Sequence, residues 1–379
     1  MIRIVHQRRD SLLLCVKLLI ACIVIGPYSR IVRAATPNVH QLQAKAERGF
    51  VNQEIELAEA YFTGNGVEHD AKLAAYWFQK AAESGDPESQ NLVGSLYEVG
   101  LGVPADAARA MHWYQLSAAS GLSDADVNLG VMYALGVGVK KDALMAAQYF
   151  EKAVQRGNGT GATYLGTLYY SGIGVKEDKV AAEHWYVIGQ KMHDPISTYN
   201  LGALYSTAPD HPHDFLKAVR FLRQSADAKY VPAMYSLALL VIQHPELAKS
   251  RQQVQDLLEF TANAGYWKSS VLRGIVARDG NGVPVDTKMA YYHFRVAILQ
   301  GGAAAENLIG HDAHKLATML GTEQSQALES EASSWFQQHK LTPAFVHIKG
   351  QRDKIFSDPT GRDPVGALNA GLLLSNPSS

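Results

Sequence analysis

The chain has 379 residues, 47% of them hydrophobic, with 35 Lys and Arg against 36 Asp and Glu and a formal net charge of −1. That apolar fraction excludes disorder as the main state, and the balanced charge excludes the basic excess that nucleic-acid binding needs. The two cysteines, Cys15 and Cys22, both lie in an N-terminal apolar stretch, so the rest of the chain holds neither a disulfide framework nor a cysteine metal site.

Residues 1–34 read as an export signal. Arg3, Arg8 and Arg9 precede an apolar run from Leu12 to Gly26, and Val32-Arg33-Ala34 supplies a small-residue cleavage site. The run is shorter than the about 20 residues of a bilayer-spanning helix. Two alternatives stay open. One is an uncleaved signal anchor in the inner membrane. The other is a lipoprotein in which Leu19-Ile20-Ala21-Cys22 is a lipobox and Cys22 the lipidated first residue. Each carries the folded part out of the cytoplasm, to the periplasm or beyond it. Loss of 1–34 removes six basic residues and one acid and leaves a net charge of −6, which disfavours electrostatic capture by anionic lipid or DNA. Membrane contact is therefore expected only through the N-terminal segment.

Residues 35–53 are expected to form a lead-in helix. From 54 to 302 the sequence repeats itself every 36 residues. A small residue recurs at Ala58, Gly94, Gly130, Gly166, Gly202, Ala238 and Gly274. Tyr61, Tyr97, Tyr133, Tyr169 and Tyr205 follow three positions later. A Gly-x-Gly-Val segment comes next, as in Gly100-Leu101-Gly102-Val103 and Gly280-Asn281-Gly282-Val283, then an acid at Asp70, Asp106, Asp142, Asp178 and Asp286. Aromatic pairs close the pattern, among them Trp77-Phe78, Trp113-Tyr114 and Trp185-Tyr186. Each unit reads as two helices joined by a glycine turn, with the aspartate capping the second helix and the tryptophan, Trp113 for example, buried on its apolar face. One pair cannot bury both faces, so stacked copies share a continuous core. The fifth unit replaces the glycine turn by Thr207-Ala208-Pro209-Asp210-His211-Pro212-His213-Asp214, and the sixth keeps only the frame.

This pattern resembles the Sel1-like repeat family, a relative of tetratricopeptide repeats. The resemblance implies an all-α fold, a right-handed α-solenoid of about seven helix-pair repeats. Residues 303–340 are expected to cap it as a helix pair, with Trp335-Phe336 covering the last apolar face, and 341–379 to form a flexible tail. The resemblance also implies assembly of complexes, signalling across the bacterial envelope, or host contact for secreted members.

Catalytic constellations are missing from the sequence. No glycine turn reads as a phosphate loop, and neither S-x-x-K nor G-x-S-x-G occurs. No metal site is expected: His211 and His213, with His244 one unit on, are weak candidates for ligands, and a polar loop that lost its glycines accounts for them better. No cofactor is expected. Binding is expected on the first helices, which line the concave face of such solenoids. Positions two before and one after the small station share a face: Leu92 and Ser95, Asn128 and Val131, Tyr164 and Thr167, Asn200 and Ala203, Ser236 and Leu239. Asn128, Tyr164, Thr167, Asn200 and Ser236 are the candidate partner-binding residues, suited to a protein or peptide. The expected function is a non-enzymatic scaffold or adaptor in the cell envelope; the alternative is a protein that binds or acts on cell-wall glycan.

Overall fold

A computed structural model describes residues 39–208, 212–248, 250–280 and 284–339. The expected export segment with Cys22, His211, the turn residues Asn281-Gly282-Val283 and the expected tail lie outside these. The described residues contain seventeen α-helices, one 3-10 turn and no strand. Contacts divide the chain into two units, 1–197 and 198–379.

The first unit holds α1 (Val39–Ala46), α2 (Val51–Thr63), α3 (Ala71–Glu83), α4 (Pro87–Val99), α5 (Ala107–Ala119), α6 (Ser123–Leu135), α7 (Ala143–Gln155), α8 (Gly159–Ser171) and α9 (Lys179–Lys191). The unit boundary falls in the first turn of α10 (Pro195–Thr207). The second unit continues with α11 (Phe215–Asp227), α12 (Val231–Gln243), a 3-10 turn at Pro245–Leu247, α13 (Arg251–Asn263), α14 (Trp267–Asp279), α15 (Thr287–Gly301), α16 (Ala303–Leu320) and α17 (Thr322–Gln338). Every helix from α2 to α14 has 13 residues, so the 36-residue period is carried by equal helices and equal turns.

Two devices set this regularity. The first is the aspartate cap. Asp70 Oδ1 accepts the N–H groups of Lys72 and Leu73 at 2.8 and 3.1 Å, and Asp106, Asp142, Asp178 and Asp286 cap α5, α7, α9 and α15 likewise. Such caps satisfy N–H groups that the first turn leaves without an intrahelical partner. The same residue's own N–H donates back across the turn, Asp106 to Tyr97 O at 2.8 Å and Asp142 to Tyr133 O at 2.9 Å. The turn is thus closed by one side chain and one amide.

The second device is the seat at the small station. A Cβ on Gly94 would stand 2.6 Å from the Tyr114 ring, and one on Gly130 would stand 2.5 Å from the Phe150 ring. Only a residue without a side chain admits the ring so close to the backbone. Tyr114 and Phe150 are fully buried, and burying such a ring contributes about 1.5–3 kcal/mol. The adjacent Trp113 is only half-buried. The expectation that Trp113 anchors the apolar face is corrected here: its neighbour Tyr114 fills the seat, whereas at the first pair Trp77 is buried beside Phe78. Neighbours on a helix point about 100° apart, and Gly94 leaves space for only one of them.

The C-terminal helices end near the expected positions, but the cap is built differently. Ile309, Ala313 and Leu316 of α16 close the apolar face of α14 and α15, together with Val271, Ile275, Tyr291 and Phe294. Trp335 instead stacks on His339 at the end of its own helix, ring centroids 4.3 Å apart.

Candidate functional site

In the first unit each first helix, α4, α6 and α8, packs on the second helix before it and the one after it. The proposed binding stripe runs along these helices, and their two-sided packing decides which members reach solvent. Leu92 and Val131 are buried. Asn128 is 7% exposed, and its Nδ2 donates to Asn91 Oδ1 at 2.8 Å. Tyr164 is half-buried and stacks on Phe150, centroids 4.9 Å apart. Thr167 is half-buried and donates to Thr163 O at 2.9 Å. In the second unit Asn200 and Ala203 are half-buried on α10. Ser236 and Leu239 are buried on α12, and the Ser236 hydroxyl has no hydrogen-bond partner among the described residues. Ser95, Tyr164, Thr167, Asn200 and Ala203 are therefore the members of the stripe with surface to offer.

Asn91 and Glu98, which neighbour the stripe member Ser95, were not anticipated. Asn91, Ser95 and Glu98 share a half-buried face of α4. Ser95 Oγ lies 2.9 Å from Tyr114 Oη, which donates to Glu98 Oε2 at 2.7 Å. In α8, Tyr170 carries Lys179 Nζ 3.6 Å above its ring. Helical spacing from Ser95 was the available signal, since 91, 95 and 98 form one row.

Deeper polar groups are structural. Asp126 is 1% exposed, and Arg156 Nη1 donates to its Oδ2 at 2.5 Å and to Ala118 O at 2.9 Å. Burial pushes the Asp126 carboxyl up, and the Arg156 guanidinium opposes that. Asp194 Oδ2 accepts from Thr163 Oγ1 at 2.5 Å and from Ser197 N at 2.6 Å, fixing the entry into α10. In α15, His293 is buried and its pKa is held down at about 3, by burial first and by the Arg273 guanidinium second.

Of the histidines near the irregular turn, His213 and His244 are described, and each has a partner of its own. His213 Nε2 lies 3.3 Å from Ala208 O, and His244 Nδ1 lies 3.4 Å from Glu246 Oε1. The Phe215 ring packs against both histidines, with centroids 6.0 Å from His213 and 4.1 Å from His244. Among the described residues no group of three or more His, Cys, Asp or Glu is placed to hold a metal ion, and no helix is long and apolar enough to cross a membrane.

Comparison with known proteins fits this geometry. No curated protein matches the chain significantly. The Sel1 repeat model matches residues 54–86, 87–122, 123–158, 160–187, 195–230 and 274–302. The unmatched interval contains α12 and α13, which keep the helix pair without the glycine turn. A protective antigen of uropathogenic Escherichia coli with an SLR fold is 26% identical, with a TM-score of 0.62 over 79% of this chain and 66% of that one. A Sel1 repeat protein from Oxalobacter formigenes is 25% identical, with a TM-score of 0.52 over 64% of this chain and 96% of that one. The helix pairs stack as a Sel1-type α-solenoid, a scaffold fold. With six matched repeats spanning just over half its length, the chain belongs to the Sel1 repeat family.

Proposed function

We propose that this protein is an exported, non-enzymatic scaffold of the bacterial cell envelope, holding a protein or peptide partner along its first helices. One observation carries the reading. The residues that recur in each unit are used up by the fold: aspartates in caps, second aromatics in glycine seats, glycines in turns. What differs from unit to unit is the half-buried row on the first helices: Tyr164 and Asn200 stand at one repeat position, and Ser95 and Thr167 at another where α6 has Val131. A surface of that kind recognises an extended partner by many modest contacts. The order of basic, apolar and small residues in 1–34 supports export.

In-cell crosslinking of the tagged full-length protein, followed by fractionation, tests this. The expected result is a discrete protein partner recovered from the periplasmic or membrane fraction. Recovery with cell-wall glycan and no protein, or from the cytoplasm alone, overturns it.

A further inference from the structure

At one described joint of the second unit, successive helix pairs meet differently from those of the first unit. In the first unit, the second glycine of each turn sits against the start of the preceding second helix: Gly102 against Ala71 and Ala75, Gly138 against Ala107, Gly174 against Ala143. Neither side has bulk beyond a methyl group, so the turn closes onto the helix. Four periods after Gly102 and Ala71 stand Glu246 and Phe215. The Phe215 ring lies 4.1 Å from the His244 ring, centroid to centroid, at the position of the turn's first glycine. These side chains prop the 3-10 turn Pro245–Leu247 off α11.

A cleft of about 470 Å³ opens between that turn and one face of α11, within the range of ligand-binding clefts. Val219, Leu216 and Leu247 form apolar wall, and Leu216 is 74% exposed. Arg220 and Arg223 line it from the same helix face. The other cations on α11 and α14–α15 that carry ion pairs show what is usual here: Lys217 with Asp214, Arg278 with Asp279 and Asp312, Arg295 with Glu329. Among the described residues no carboxylate lies within ion-pair distance of Arg220 or Arg223, and Arg223 Nε is buried without a hydrogen-bond partner. Asp227 and Glu246 border the cleft. Their charge repels a multiply charged anion such as phosphate, yet leaves room for one carboxylate held by two guanidinium groups.

We infer that this cleft takes an extended peptide segment of a partner protein in which a carboxylate stands beside an aliphatic or aromatic side chain. The carboxylate sits on Arg220 and Arg223, and the apolar group lies on Leu216, Val219 and Leu247. The inference rests on the scaffold reading and names one site of it. The carboxylate comes from an Asp or Glu side chain or from a chain terminus.

Three pools of N-acetylated octapeptides offered to the full-length protein test it. One pairs Asp or Glu with Leu or Phe and is C-amidated. The second replaces the acids by Asn and Gln. The third is the neutral pool with a free C-terminal carboxylate. Retention of one carboxylate pool at least tenfold above the neutral amidated pool is expected, and which pool is retained identifies the source. The Arg220→Gln/Arg223→Gln chain, with unchanged helical circular dichroism, should lose that preference at least tenfold. So should Leu216→Glu, which places a like charge in the cleft at an exposed position. Equal retention of all pools, retention unchanged in these variants, or competition by inorganic phosphate as strong as by the acidic peptides overturns the inference. A crosslinked cellular partner still bound by the double variant overturns the cleft and leaves the scaffold standing. Arginine-dependent peptide retention without any cellular protein partner overturns the scaffold and leaves the cleft.

Discussion

The Gly102–Ala71 joint of the first unit and the Glu246–Phe215 joint of the second solve the same problem with opposite residues. In the first, two small positions let a turn lie flat on a helix. In the second, Phe215 packs on His244, and the turn carrying Glu246 stands away and leaves a cleft. The helices on either side hardly register the change. Asp214 caps α11 by accepting from Lys217 N at 2.9 Å, and its own N–H donates to Tyr205 O at 3.0 Å, as Asp106 does with Tyr97. Ser250 caps α13 where no aspartate stands. Leu222 and Leu258 fill the places of the buried aromatics. The lesson is that cap and seat maintain the period, while the glycine turn sets how tightly one pair lies on the next.

The largest test of that view is the seat. Tyr114→Ala empties a fully buried site against Gly94 and should cost about 3–5 kcal/mol, whereas Trp113→Ala should cost about half as much. Urea unfolding with hydrogen exchange of α4 and α5 amides reads both, because stability in a solenoid is local. Equal costs would put the wrong aromatic in the core.

The turn comes next. Gly102 has φ +72° and a Cβ there would overlap the Ala71 carbonyl, so Gly102→Val should lose about 2–4 kcal/mol. Glu246→Gly, at the open joint, should change stability by no more than about 0.5 kcal/mol. A large loss from Glu246→Gly would show that the second joint is built as tightly as the first.

The second unit has a pH response of its own. Unfolded, His293 takes up its proton near pH 6.5; folded, it does so only near pH 3. Its contribution is therefore fully present above pH 6.5 and falls as the pH drops towards 3, at about 1.4 kcal/mol per unit. Between pH 6.5 and 5 the loss should be about 2 kcal/mol. His293→Phe, which matches Phe221 two repeats earlier, should flatten that slope in denaturant titrations at the two pH values.

The smallest effects should be alike in the two regions. Asp106→Ala and Ser250→Ala each remove one cap and should each cost about 1 kcal/mol, read by local amide exchange in α5 and α13. A cost at α13 far below that at α5 would mean that the irregular pair is held by something other than its cap.

The sequence by itself determined the period, the helix pairs, the aspartate caps and the family, because these are local. A cap joins residues two or three apart, and a turn needs its glycine at one position. Only the tertiary structure decided which of Trp113 and Tyr114 is buried, since the seat is Gly94 on another helix. It also decided that Asn128 and Ser236 lie inside while Tyr164, Thr167 and Asn200 keep some surface. Helical spacing places a residue on a face, but the neighbouring helices decide whether that face is covered. The cleft at Arg220 and Arg223 is the extreme case. It exists because Phe215 and His244, at the ends of separate helices, pack together at one joint where small residues would have closed it.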